Sequence, residues 1–280
     1  MHSTETETET ETGTGTAIQL GGLAADDYGH ADDRAPLVLL HGLTFDRTIW
    51  RQLVAGLHRI DPGRRALAID LPGHGQSPEQ TRYDLREVPD QLHRVIAGAG
   101  LTAPVLVAHS AGVLAATVYA GRYPTRGIIN VDQPLQLDAF AELVQPLAER
   151  LRGPAFAAMW QMFYDSFHTE LLPPGARELV RSTCRPRQQV VLGYWQQIFD
   201  GKVGEVTAMV SQSTATLRAS GVPYLHIAGD EPGAAYRAWL AERLPAATIE
   251  VWASSGHFPH LARPEEFARR LAATGAWPAQ

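Results

Sequence analysis

Six short apolar runs limit what this chain can fold into more than any other feature of it. Residues 37–40, 66–69, 105–107, 128–131, 224–227 and 248–251 are rich in Leu, Ile, Val and Ala, and each is closed by glycine or a polar turn. The segments around 47–58, 85–99, 111–121, 233–243 and 264–273 show helical spacing instead. Strands apolar on both faces need helices on both faces, so the pattern predicts an α/β fold: a mostly parallel twisted sheet between two helical layers. Pro264 suits a first helical position, and Glu265 and Glu266 then lie near the positive end of the helix dipole.

The alternation fails from Pro134 to about Ala219, where amphipathic helical patches are punctuated by Pro154, Pro173, Pro174 and Pro186. This stretch, 134–219, reads as a helical cap inserted into a core made of 17–133 and 220–280. It is enriched in aromatic residues, among them Trp160 and Trp195, which are candidates to line an apolar pocket, although a cap also needs a small core of its own. With 45% apolar residues in 280, the chain can fill one domain with an insertion.

Residues 1–16 are different. Glu5, Glu7, Glu9 and Glu11 alternate with threonines, and such a segment is predicted to stay disordered because it has too little apolar surface to offset its ordering entropy. It carries much of the formal net charge of −6, which leaves the remainder nearly neutral and without the basic footprint of a nucleic-acid binder. No signal-peptide pattern and no apolar run of membrane-spanning length is present, and the lone Cys184 forms no disulfide framework, so a cytoplasmic location is expected.

The chemistry is concentrated after 105–107. Ala108-His109-Ser110-Ala111-Gly112 leads from a strand directly into a helical run, which places Ser110 at a tight elbow and aims the helix's free N–H groups at the point where an oxyanion would form. A serine hydroxyl needs an imidazole to take its proton, and His257, in Ser255-Gly256-His257-Phe258-Pro259-His260 after the last strand, can supply it.

Together with His41-Gly42-Leu43 and Asp70-Leu71-Pro72-Gly73-His74-Gly75-Gln76-Ser77, these motifs resemble the α/β-hydrolase family over nearly all of the chain beyond the tail. The resemblance implies that Ser110 is the nucleophile and His257 the base, with the Leu43 and Ala111 amides as oxyanion hole. It also implies that His41 and His74 are structural, that His260 steadies the loop, and that no metal or organic cofactor is used. The acid departs from the commonest pattern. Pro232 occupies its usual place after 224–227, so Asp132, the alternative location at the end of 128–131, is favoured over the nearby Asp230. A serine at the elbow, in place of the aspartate of the family's dehalogenases and epoxide hydrolases, implies acyl transfer. The expected substrate is a medium-sized apolar ester or lactone, with no nucleic-acid or membrane partner. A carbon–carbon hydrolase, a biosynthetic thioesterase or cyclase, and a ligand receptor on the same fold are the alternatives.

Overall fold

All six sequence-predicted strands are present, in a sheet that carries two more. The computed structural model describes residues 15–277. Its strands are β1 (Thr16–Leu20), β2 (Leu23–Tyr28), β3 (Leu37–Leu40), β4 (Ala66–Ile69), β5 (Val105–His109), β6 (Gly127–Val131), β7 (Tyr224–Ala228) and β8 (Thr248–Val251), in the spatial order β1-β2-β4-β3-β5-β6-β7-β8. The β1–β2 and β2–β4 pairs are antiparallel and the rest parallel. The disordered tail expected for 1–16 falls outside the described residues except at its end, where Thr16 opens β1.

The helices are α1 (Arg51–Ile60), α2 (Val88–Gly98), α3 (Gly112–Ala120), α4 (Asp138–Val144), α5 (Ala148–Arg152), α6 (Phe156–Asp165), α7 (Pro174–Thr183), α8 (Gln188–Tyr194), α9 (Gln196–Phe199), α10 (Val203–Ser220), α11 (Gly233–Arg243), α12 (Pro259–Ala262) and α13 (Pro264–Ala273). The two-residue period of the strands divides the core. Val38, Leu40, Leu106 and Ile128 face Leu92 and Val95 of α2 and Val113 and Ala116 of α3. Leu37, Leu39, Val105 and Val107 face Leu53 and Leu57 of α1 and Phe267 and Leu271 of α13. Between β6 and β7 the chain is helical, α4 to α10. Met159, Trp160, Phe163, Val191 and Trp195 form a third apolar cluster there, with Leu43 of the core. The last of these helices leaves that cluster, because Val210 and Leu217 of α10 pack with the core.

β1 and β2 escaped the sequence reading for a physical reason. Gly21 and Gly22, at φ +57° and +87°, make the two-residue turn that joins them. β2, however, carries Asp26 and Asp27, so it lacks the apolar run of a buried strand. Asp26 is nevertheless 2% exposed, and Arg47 makes this possible by donating from Nε to Asp26 Oδ1 at 2.7 Å. Arg47 also pairs through Nη1 with the fully buried Asp70, whose other oxygen accepts the Arg47 N–H at 2.7 Å.

The chain runs from β3 to β4 on one side of the sheet and then crosses to β5 on the other. The carboxyl ends of β3 and β5 therefore flank a topological switch point, where α/β sheets open a crevice. Among the described residues no helix is long and apolar enough to cross a membrane.

Removing the Arg47 guanidinium leaves the buried Asp26 with the exposed Arg51 as its cation and the buried Asp70 with only two backbone amides. Arg47→Met is expected to lower the urea-unfolding free energy by about 3–5 kcal/mol, and a loss below about 1 kcal/mol would show that the network contributes little.

Candidate active site

Ser110 follows β5 directly and adopts φ +50°, a left-handed conformation that costs a non-glycine residue about 1–3 kcal/mol. The surroundings hold it there. Its N–H donates to the Val131 carbonyl at 3.0 Å, and its own carbonyl accepts the Val113 N–H of α3 at 2.8 Å. The β3 loop must pass close by, and Gly42 permits this, since a Cβ there would lie 2.9 Å from His109 Nδ1 and 3.0 Å from Ser110 Cβ. Ala108 is a buried strand residue paired in register with Leu40.

Two histidines tie the β3 loop to the loop after β4. His41 Nε2 accepts the Leu71 N–H at 3.0 Å and its Nδ1–H donates to the Gly42 carbonyl at 2.8 Å. His74 Nε2 accepts the Thr44 N–H at 3.1 Å and its Nδ1–H donates to the Pro72 carbonyl at 3.0 Å. A ring that both accepts and donates is neutral, and burial holds both pKa values below the ordinary histidine range. They are struts between loops. Leu43 and Ala111, the two residues read for the oxyanion hole, both line the cavity beside Ser110.

His257 is brought to Asp132. Asp132 follows β6 at φ +56°, and its Oδ2 accepts from His257 Nδ1 at 2.7 Å while its Oδ1 accepts the Gly229 N–H at 2.7 Å. Burial raises the pKa of this carboxyl, but the hydrogen bond and charge of His257 and the Gly229 amide outweigh it and hold the group below the usual carboxylate range. Gly229 is a tight spot, because a Cβ there would run into the Gly256 carbonyl of the histidine loop. Asp230 is exposed, and its neighbour Glu231 pairs with Arg237 at 2.6 Å, so the loop after β7 directs its carboxylates away from His257.

His260 is fully buried, its ring 4.8 Å from that of Trp50 and 4.9 Å from that of His109. It steadies the loop by packing, since neither ring nitrogen has a hydrogen-bond partner among the described residues. Two contacts of His257 were not read from the sequence. His109 Nε2 donates to the His257 carbonyl at 2.8 Å, and the His257 N–H donates to the Phe167 carbonyl at 3.0 Å. Both join residues far apart in the chain, and no local pattern signals them.

Ser110, Asp132 and His257 open on a cavity of about 690 Å³. Trp160 and Trp195, with ring centroids 6.2 Å apart, line it together with Phe140, Phe163 and Phe167 of the helical stretch between β6 and β7. The core contributes Leu71, Tyr83, Val88 and Leu114. No Lys or Arg is among the lining residues. Among the described residues no group of three or more His, Cys, Asp or Glu side chains is placed to hold a metal ion.

A model of the Alpha/beta hydrolase family matches residues 37–270. Pimeloyl-[acyl-carrier protein] methyl ester esterase of Vibrio vulnificus (strain YJ016) is 26% identical over 255 residues, 84% of this chain and 92% of that protein. A 2-succinyl-6-hydroxy-2,4-cyclohexadiene-1-carboxylate synthase of Yersinia pseudotuberculosis serotype O:1b (strain IP 31758) is 28% identical over 246 residues, 85% of this chain and 86% of that protein. Among solved structures, the haloalkane dehalogenase DatA from Agrobacterium tumefaciens C58 superposes with a TM-score of 0.69 at 22% identity, covering 95% of this chain and 97% of that one. At that identity the likeness is one of fold.

Five buried histidines share one electrostatic state. Burial lowers the pKa of His41, His74 and His109, and takes His226 to about 4 and His260 to about 3. The unfolded chain binds the protons these rings refuse, so acid favours unfolding. Stability should fall from the ordinary histidine pKa downward by about 1.4 kcal/mol per pH unit for each ring still neutral. Asp132, with its lowered pKa, adds to the loss at lower pH still. Urea unfolding at about pH 7 and about pH 5 checks this, and a flat or rising stability would contradict it.

Proposed function

The chain belongs to the Alpha/beta hydrolase family, and from that premise we propose that it hydrolyses a carboxylic ester or lactone of a medium-sized apolar molecule through an acyl-enzyme on Ser110. The observation that carries the reading is the 2.7 Å pair between His257 Nδ1 and Asp132 Oδ2, beside a serine on a left-handed elbow at the same cavity.

With Nδ1 engaged by Asp132, Nε2 is the nitrogen available to accept the Ser110 proton. Ser110 Oγ then adds to the carbonyl carbon, and the negative charge moves to the carbonyl oxygen between the Leu43 and Ala111 amides. The imidazolium is stabilised by Asp132, which also keeps the ring in its productive tautomer. His257 next returns the proton to the departing alcohol as the carbon–oxygen bond breaks. Water then gives a proton to His257 as its oxygen bonds to the acyl carbon, and that proton passes to Ser110 Oγ as the acyl–Oγ bond breaks and the acid leaves. A lactone follows the same course with its alcohol still attached.

The substrate class follows from the wall. Aromatic and aliphatic side chains favour an apolar acyl or alcohol part. A free carboxylate would be buried without a Lys or Arg partner, so the substrate is neutral within the cavity. The similarity to an enzyme named for methyl ester hydrolysis supports the ester reading. The similarity to a protein named as a synthase supports a second one, in which the same residues break or rearrange a carbon–carbon bond in a biosynthetic intermediate.

A panel of p-nitrophenyl esters and lactones tests the proposal. Ser110→Ala should lower kcat by about 10⁶-fold and Asp132→Asn by about 10⁴-fold, whereas Asp230→Asn should leave it within about twofold. Undiminished turnover in Ser110→Ala would remove the mechanism, and collapse in Asp230→Asn alone would reassign the acid.

A further inference from the structure

His257 is gripped by its backbone as well as by its ring, and half of the grip comes from the segment between β6 and β7. The carbonyl is taken by His109 of β5, and the N–H is taken by Phe167, just beyond α6. The Phe167 ring also lies over the imidazole, with centroids 4.9 Å apart and planes 24° from parallel. Close approach is built into both sides. His168 adopts φ +53°, and Gly256 adopts φ +54° where a Cβ would lie 2.7 Å from the Phe167 carbonyl oxygen and 2.9 Å from that of His168.

We infer that Phe167 is a positioning residue for the base: it holds His257 with Nδ1 on Asp132 and Nε2 toward the cavity, and its ring favours the imidazolium that forms during acyl transfer. This rests on the assignment of Ser110 and His257 above. The face of a benzene ring carries negative charge density and attracts a cation, while it gains much less from a neutral imidazole. The contact therefore strengthens as the proton moves from Ser110 to His257, which is the form of binding that accelerates a reaction. Phe167 also lines the cavity, so a bound substrate rests against the ring that orients the base. The other charged or titratable groups near His257 are Asp132, His109 and His260 on the core side, with His226 acting on Asp132. On the other side is the exposed His168–Glu170 pair, 3.0 Å apart.

The test is steady-state hydrolysis of a p-nitrophenyl ester by the full chain across pH, with Phe167→Leu, Phe167→Tyr, Phe163→Leu and Ser110→Ala. Phe163 lines the same cavity, but its ring neighbours are Trp160 and Trp195. Leucine keeps the ring covered and removes the π face, so Phe167→Leu should lower kcat about tenfold with KM within about twofold. It should also move the acid limb of kcat/KM down by about half a pH unit. Phe167→Tyr should restore both, and Phe163→Leu should change KM without moving the limb. Phe167→Met carries the same expectation should the leucine variant fail to fold. An unchanged kcat and limb in Phe167→Leu, or equal shifts in Phe163→Leu, would overturn the inference. Turnover surviving in Ser110→Ala would instead overturn the reading beneath it.

Discussion

Asp132 is the group on which the rest of the site depends. Its two carboxylate oxygens have different partners, the Gly229 amide at the end of β7 and the His257 ring on the loop after β8, while its own N–H donates to Ile227 at 2.9 Å. One side chain thus sets three elements relative to one another. Burial works against its charge, and the two donors restore it. An ionised carboxylate with both oxygens occupied has little freedom to rotate, so the orientation of the imidazole follows from the backbone of β6 and β7.

The elbow poses a related problem, solved with neutral groups. Ser110 stores strain in a left-handed backbone, and the loops around it must be stiff enough to hold that strain. His41 and His74 provide the stiffness by accepting one amide and donating to one carbonyl each, which joins the β3 loop to the loop after β4 without placing a charge beside Leu43. A lysine or arginine in their place would bring a buried cation that needs a counter-ion. At Arg47 the fold does use charge, and there it is paired with the carboxylates of Asp26, in β2, and Asp70, directly after β4, with Arg51 also on Asp26.

Much of this was legible in the sequence because it is local. The parallel strands inside the sheet announce themselves as apolar runs, since both faces are buried. The elbow and the histidine loop are contiguous motifs, and the proline at Pro232 directs attention from Asp230 to Asp132, whose Oδ2 lies 2.7 Å from His257 Nδ1. What escaped was nonlocal. β2 conceals Asp26, whose burial depends on Arg47, about twenty residues on, and Asp27, which pairs with Arg65, and the short, exposed β1 shows only its Gly-Gly turn. The packing of α10 against the core is invisible in a helical stretch read only for its period. Phe167 was one aromatic among many, and nothing near it in sequence reveals that it meets His257 ninety residues later.

The central claim is that Ser110 is activated by His257 held on Asp132. Its most direct test is the rate at which an alkyl phosphonate ester labels the protein, followed by intact mass and by mapping the modified peptide. The account predicts a single adduct on Ser110, formed at the wild-type rate in Asp230→Asn and orders of magnitude more slowly in Asp132→Asn. Labelling at another residue, or an unchanged rate in Asp132→Asn, would contradict it.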